Sequence, residues 1–151
     1  MKKIGIRFEL LQAFDTNCLY EILKCLKNKN LFWYVTGNQT EVWADKNGNE
    51  TFFKQKYNNK EFFDVVSNNH YAIFFKIQAY SDSHIFEEIH TIKEFENSDC
   101  RIILLIYDCY WCDIYIKEDL IDILYQNLIE SEFDNINYIY DDCDTRTKLD
   151  I

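Results

Sequence analysis

The sequence predicts an α+β fold: a single mixed, mostly antiparallel sheet of about six or seven strands with two or three packed helices. Three observations carry this expectation. Segments such as 3 to 9 and 110 to 116 alternate apolar and polar residues, as half-buried strands do. Segments 16 to 28 and 117 to 132 repeat apolar residues at helical spacing. Arg101 to Tyr107 encloses five consecutive large aliphatics, the mark of a strand buried on both faces.

Taken in order, residues 3 to 9 place Ile4, Ile6 and Phe8 on one face and Lys3, Arg7 and Glu9 on the other. In the first helix Leu19, Ile22, Leu23 and Leu26 form the stripe, with Cys18 and Cys25 on or beside it, and Lys24, Lys27 and Lys29 complement the helix dipole. Leu31 to Thr36 reads as a strand, Gly37-Asn38 as a turn, and Glu41 to Asp45 as the next strand. Asn47-Gly48 is the preferred pair for a two-residue hairpin turn. Its register sets Trp43 opposite Phe52, Val42 opposite Phe53 and Glu41 opposite Lys54.

Lys60 to Asn68 reads as a short helix with Phe62, Phe63 and Val66 inward. In the strand Tyr71 to Tyr80, Ile73, Phe75 and Ile77 are expected to face a core and Lys76 and Gln78 water. Thr91-x-x-Glu94 is a capping box that opens a helix ending near Asn97. Residues 101 to 107 form the expected centre of the sheet. In the helix after residue 117, Leu120, Ile121, Leu124 and Leu128 point inward, while Glu118, Asp119 and Asp122 suit its N-terminus. Asn135 to Tyr140 is the last strand, followed by a polar tail.

The 151 residues make one domain, 1 to 151, large enough to bury a core without staples. The net charge of −10 is uneven: residues 1 to 75 carry a net +2 and residues 76 to 151 a net −12. Such a surface repels nucleic acid and acidic membranes and steers basic partners toward it. Lys54, Lys56 and Lys60 near Phe52, Phe53 and Tyr57 are too few to make a single-strand-binding surface. No apolar run approaches the length of a signal peptide or a membrane span, and the six cysteines are scattered through periodic segments. A cytoplasmic protein with reduced thiols is expected.

Cys109-x-x-Cys112 has the spacing of a redox dithiol or half a zinc knuckle. It lies between two strands rather than at a helix N-terminus, and nothing completes a set of four ligands, so packing cysteines are expected. His70, His84 and His90 belong to no metalloenzyme pattern, and His84 and His90, near Glu87 and Glu88, read as solvated. Gly5, Gly37 and Gly48 are too far apart for a phosphate-cradling loop. The serines occupy no acyl-transfer motif. Neither a metal nor a cofactor is called for. Asp141, Asp142 and Asp144 follow the last strand, and Asp108 ends the buried one. If those strand ends met, the four carboxylates could hold Mg²⁺ or act as acid and base. The plainer reading is a solvated turn whose acids pair with Arg146.

Nearly end to end the chain resembles the family of small bacterial proteins grouped as domain of unknown function 2691. The matching features are Gly5-Ile6-Arg7-Phe8-Glu9, Ile22-Leu23-Lys24, Thr91-x-x-Glu94-Phe95, and Asp99-Cys100 leading into Leu104-Leu105. They continue with Ile114-Tyr115-x-Lys117, Leu124-Tyr125-x-Asn127, Tyr138-Ile139-x-Asp141 and Asp144-x-Arg146-Thr147-Lys148-Leu149. The segment from Gly37 to Asn69 departs most. The resemblance implies a single intracellular domain from a Gram-positive bacterium and brings no activity, cofactor or catalytic residue.

Two functions from different classes are therefore weighed. The first is a non-enzymatic, inhibitor- or immunity-like binding protein that presents Trp111, Asp113, Tyr115, Asp141, Asp142 and Asp144 to a basic protein partner. Trp111, Asp113 and Tyr115 share one strand face, which a covering element would equally explain. The second is a metal-dependent or acid/base enzyme using Asp108, Asp141, Asp142 and Asp144.

Overall fold

The structure, a computed structural model, describes residues 1–83, 86–142, 144, 146 and 148–151. His84 and Cys143 lie outside the described residues. Seven strands, β1 (Lys3–Glu9), β2 (Phe32–Trp43), β3 (Lys56–Asn58), β4 (Tyr71–Tyr80), β5 (Cys100–Tyr107), β6 (Trp111–Ile116) and β7 (Asp134–Tyr140), form one sheet. Their order is β3-β2-β4-β5-β6-β1-β7, and every neighbouring pair is antiparallel. The aliphatic strand β5 stands in the middle, as its two-sided burial requires. Among the described residues there are four α-helices, slightly more than expected: α1 (Cys18–Leu23), α2 (Asn59–Val66), the five-residue α3 (Ile92–Glu96) and α4 (Glu118–Glu130).

Helices α1, α2 and α4 cover one face of the sheet. Their apolar stripes, including Leu19, Ile22, Phe62, Val66, Leu124 and Leu128, join Phe8, Phe75, Leu104 and Ile114 in one core. Each such fully buried side chain contributes about 1.5–3 kcal/mol. Asn127 of α4 donates to the carbonyls of Glu21 and Ile22 at 3.0 and 2.9 Å, locking α4 onto the end of α1. His70 sits at the start of α1: its Nε2 accepts the Leu19 N–H at 3.0 Å while Nδ1 lies 2.8 Å from the Asn68 carbonyl. Those partners select the neutral tautomer protonated on Nδ1, and burial lowers the pKa of the ring from its ordinary value.

The other face is also covered, which reverses one expectation. Lys76 and Gln78, assigned to water by the alternation of β4, are completely buried. The segment before α3 and the C-terminal residues lie over them. Gln78 donates to the Glu87 carbonyl and accepts the Ile89 N–H, so its amide works as a short piece of strand edge for that segment. The Lys76 ammonium donates to the Ile89 carbonyl and pairs with Asp150 at 3.4 Å. Leu149 is fully buried beside Tyr115, Ile139 and Phe95 in a second core, and its N–H donates to the His90 carbonyl.

Three local expectations also change. Ile4 does not share a face with Ile6 and Phe8: a β-bulge against β7 between Lys3 and Gly5 turns it into the second core. Residues 37 and 38 do not separate two strands. Gly37, at φ 86°, lies at an irregularity inside the single strand β2. The Asn47-Gly48 hairpin is wider than the two-residue form, with Trp43 bridging Glu50 instead of facing Phe52. Asp45 is the cause, since its carboxylate accepts the N–H groups of Asn47 and Asn49 and the Asn49 amide, closing a larger loop.

Candidate functional site

Asp113 is a buried carboxylate in the middle of the sheet. It lies on β6 directly opposite Arg7 of β1, whose guanidinium grips it with two hydrogen bonds, Nε to Oδ1 at 2.8 Å and Nη2 to Oδ2 at 3.0 Å. Arg146, arriving from the C-terminal tail, places Nη2 3.0 Å from Oδ2, and the Tyr107 hydroxyl approaches the same oxygen at 3.4 Å. Arg7 then reaches Asp144 at 3.6 Å, and the Tyr115 hydroxyl donates to Asp144 Oδ2 at 2.7 Å. The result is an alternating chain, Arg146, Asp113, Arg7, Asp144, closed by a phenol. It is electrically neutral.

The electrostatics follow from this packing. The hydrogen bond with Asp113 outweighs burial and holds the Arg7 pKa above its ordinary value. Burial first, and the hydrogen bond to Asp144 second, push the Tyr115 phenol well above its ordinary range. Both carboxylates are already occupied by strong donors. What the arrangement does is fasten the tail, through Asp144 and Arg146, to the otherwise polar centre of a sheet face.

The four acids considered for catalysis do not meet. Asp108 is exposed in the turn between β5 and β6, at φ 54°. Because β7 runs in the same direction as β6, its end lies at the opposite end of the sheet from that turn. Asp141 and Asp142 are exposed in the turn after β7, where Asp141 accepts the Lys2 N–H at 3.1 Å. Asp144 folds back to Tyr115 and Arg7. The convergence sought between Asp108 and the tail is thus replaced by one between Asp113 and Asp144. Among the described residues, no group of three or more His, Cys, Asp or Glu side chains is placed to hold a metal ion.

Of the residues considered for a partner, Asp113 and Tyr115 lie fully buried beneath the tail and are not surface groups. Trp111 remains 38% exposed, and Asp141 and Asp142 are open. Sequence reasoning missed Arg7, Arg146 and Tyr107 as members of the network. The available signal was an Arg and an Asp each on the polar side of an alternating strand. Arg146 does touch Asp144, but through its backbone N–H at 3.2 Å; its side chain goes to Asp113.

A second surface builds on Trp111. Its ring packs edge-to-face on the exposed Tyr110, with centroids 4.7 Å apart. Glu9 pairs across the sheet with Trp111 on one side and Asp134 on the other. Hydrogen bonding to Glu9 first, then burial and the charges of Glu9 and Asp134, push the Tyr110 phenol up from its ordinary value. Aromatic rings and carboxylates are therefore interleaved at this end of the sheet. Cys109 and Cys112, between which these rings sit, are both free, and burial raises the Cys112 thiol well above its ordinary value.

No solved structure matches the chain. A relative from Bacillus subtilis (strain 168), "Uncharacterized protein YncE", is 28% identical over 151 residues, covering 97% of this chain and 98% of that protein. No described helix is long and apolar enough to cross a membrane. The family model "Protein of unknown function (DUF2691)" matches residues 3–150, and the chain belongs to that family.

Proposed function

We propose that this protein is a non-enzymatic binding protein of the inhibitor or immunity kind, which takes a basic protein partner on its acidic second half. The observation that carries the reading is the exposed Tyr110–Trp111 pair set among Glu9, Asp108 and Asp134. Neither the stretch 108 to 116 nor the stretch 130 to 144 contains a Lys or Arg. Carboxylates of one sign speed the approach of a cationic partner, and aromatic rings then anchor it by burial and by cation–π contact with its Lys or Arg side chains. Trp111 is the anchor and Asp141 and Asp142 add to the field. Asp113, Tyr115 and Asp144 hold the frame on which that surface is built.

The test is affinity capture on the immobilised protein from a bacterial lysate at low and high salt, with Trp111→Ala in parallel. A basic protein retained at low salt, released at high salt and lost from the variant is the expected result. Retention of nothing, or of proteins that are neither basic nor sensitive to salt, overturns the reading.

A further inference from the structure

Strand β7 ends the sheet, and no strand lies beyond it among the described residues. The opposite edge is covered differently. There β3 pairs with Phe32 to Tyr34, and the loop that follows β2 supplies further bonds from Ala44 to Asn49, from Thr51 to Val42 and from Val35 to Gln55. Proteins usually blunt an open edge with lysine, proline or an inward charge. From Asn135 to Tyr140 β7 carries no charge and no proline.

The direction of its free backbone groups can be derived. Leu10 donates its N–H to the Tyr110 carbonyl, so the backbone of Leu10 faces β6, and the unbroken register of β1 with β6 from Gly5 to Glu9 turns Arg7 toward β7. Arg7 pairs with Asn137, whose N–H therefore points inward, while those of its neighbours Ile136 and Tyr138 point outward from the sheet. A recess of about 200 Å³ lined by Arg7, Asn137, Tyr138, Ile139, Tyr140 and Asp144 adjoins the strand.

Charge selects the occupant. From Glu130 through Asp144 the chain carries six carboxylates and no Lys or Arg. Glu132 and Asp134 are exposed at the start of β7, and Asp141 and Asp142 just beyond its end. A second copy of this chain pairing antiparallel, β7 to β7, would bring the acids at the start of one strand against those at the end of the other, and like charges repel. A strand with Lys or Arg at both ends meets carboxylates at both instead. We infer that the edge of β7 around Ile136 and Tyr138 is where the basic partner docks, adding an extended lysine- or arginine-bearing segment as an eighth strand. This rests on the basic-partner reading above and gives it a geometry.

The test uses the full chain and two synthetic peptides of alternating valine and threonine, one with lysines at both ends and a twin with glutamates there. Amide hydrogen exchange by NMR reads the edge. With the lysine peptide at low salt, the Ile136 and Tyr138 amides slow by about tenfold or more while that of Asn137 is unchanged. The glutamate twin has no effect, and combining Asp134→Lys with Asp142→Lys weakens binding by at least about tenfold. Binding that leaves Ile136 and Tyr138 unprotected overturns the strand geometry and leaves the basic-partner reading standing. So does failure of the lysine peptide to bind while a Trp111-dependent basic protein is still captured. Equal binding of the glutamate twin overturns the charge argument. A dimer in sedimentation, with both amides protected and no peptide present, overturns the inference in favour of self-pairing.

Discussion

Arg146 and Asp113 meet at 3.0 Å, one on the C-terminal tail and the other buried in the centre of the sheet. Two cations share that single carboxylate, so the consequences of removing each member differ. Asp113→Ala leaves the Arg146 guanidinium without its carboxylate and Arg7 with only the more distant Asp144, and water reaches only part of either. A loss of about 3 kcal/mol or more is expected. Arg146→Met keeps the bidentate Arg7 grip and costs about 1 kcal/mol. Urea denaturation of the two variants checks the ranking, and equal losses would show that the network is not organised around Asp113.

His70 makes stability depend on pH. Its folded pKa lies below its unfolded value of 6.5 because burial disfavours the charged ring. The unfolded chain therefore binds the proton first as pH falls. Stability from the neutral ring is complete above about pH 6.5 and declines as pH drops through that value toward the lower folded pKa. Thermal melts of the wild type and of His70→Gln, whose amide oxygen can still accept the Leu19 N–H, should diverge in that window, the wild type losing more on acidification. Parallel curves would exclude the imidazole as the source.

Gly5 has no room for a side chain. A Cβ there would stand 2.4 Å from the Ile114 carbonyl oxygen, a backbone atom that cannot swing aside. Gly5→Ala should cost about 1–3 kcal/mol through strain between β1 and β6. A shift of the urea midpoint at unchanged slope measures it, and a neutral result would mean that the two strands separate easily.

Thiol reactivity should follow burial. Desolvation pushes the Cys18 thiol up to about 12 and that of Cys100 to about 11, so neither supplies thiolate near pH 8. Half-exposed Cys109 should be alkylated by iodoacetamide well before them. Peptide mapping by mass spectrometry gives the order, and early labelling of Cys18 or Cys100 would contradict this packing.

The parts of this structure that could be read from the sequence share a physical basis. Helix α4 and strand β5 announce themselves because their periodicity or continuous apolarity extends over several residues, and Thr91 starts α3 through a bond only three residues long. The burial of Lys76 and Gln78 was not legible. Alternation reports which residues share a face, and nothing in β4 reports that a distant tail will cover it. The bond between Arg7 and Asp113 spans 106 residues, so no local pattern links them. In the hairpin the local preference of Asn47-Gly48 was real, but the Asp45 carboxylate offered its neighbours a better set of bonds. For the proposed partner surface, Trp111 is legible as a ring on an alternating strand beside Tyr110, whereas its company of Glu9 and Asp134 requires three strands to be assembled.

Strand β1 is the first strand of the sheet along the chain and must wait for both of its partners. It lies between β6 and β7, so during synthesis its backbone finds no neighbour until most of the chain has left the ribosome. Until then Ile6 and Phe8 are exposed on an unpaired segment, and chaperones have a long interval in which to bind it. Pairing across such separations makes for slow folding, so the rate-limiting event should be the pairing of β1 with β6, after which β7 has an edge to close on.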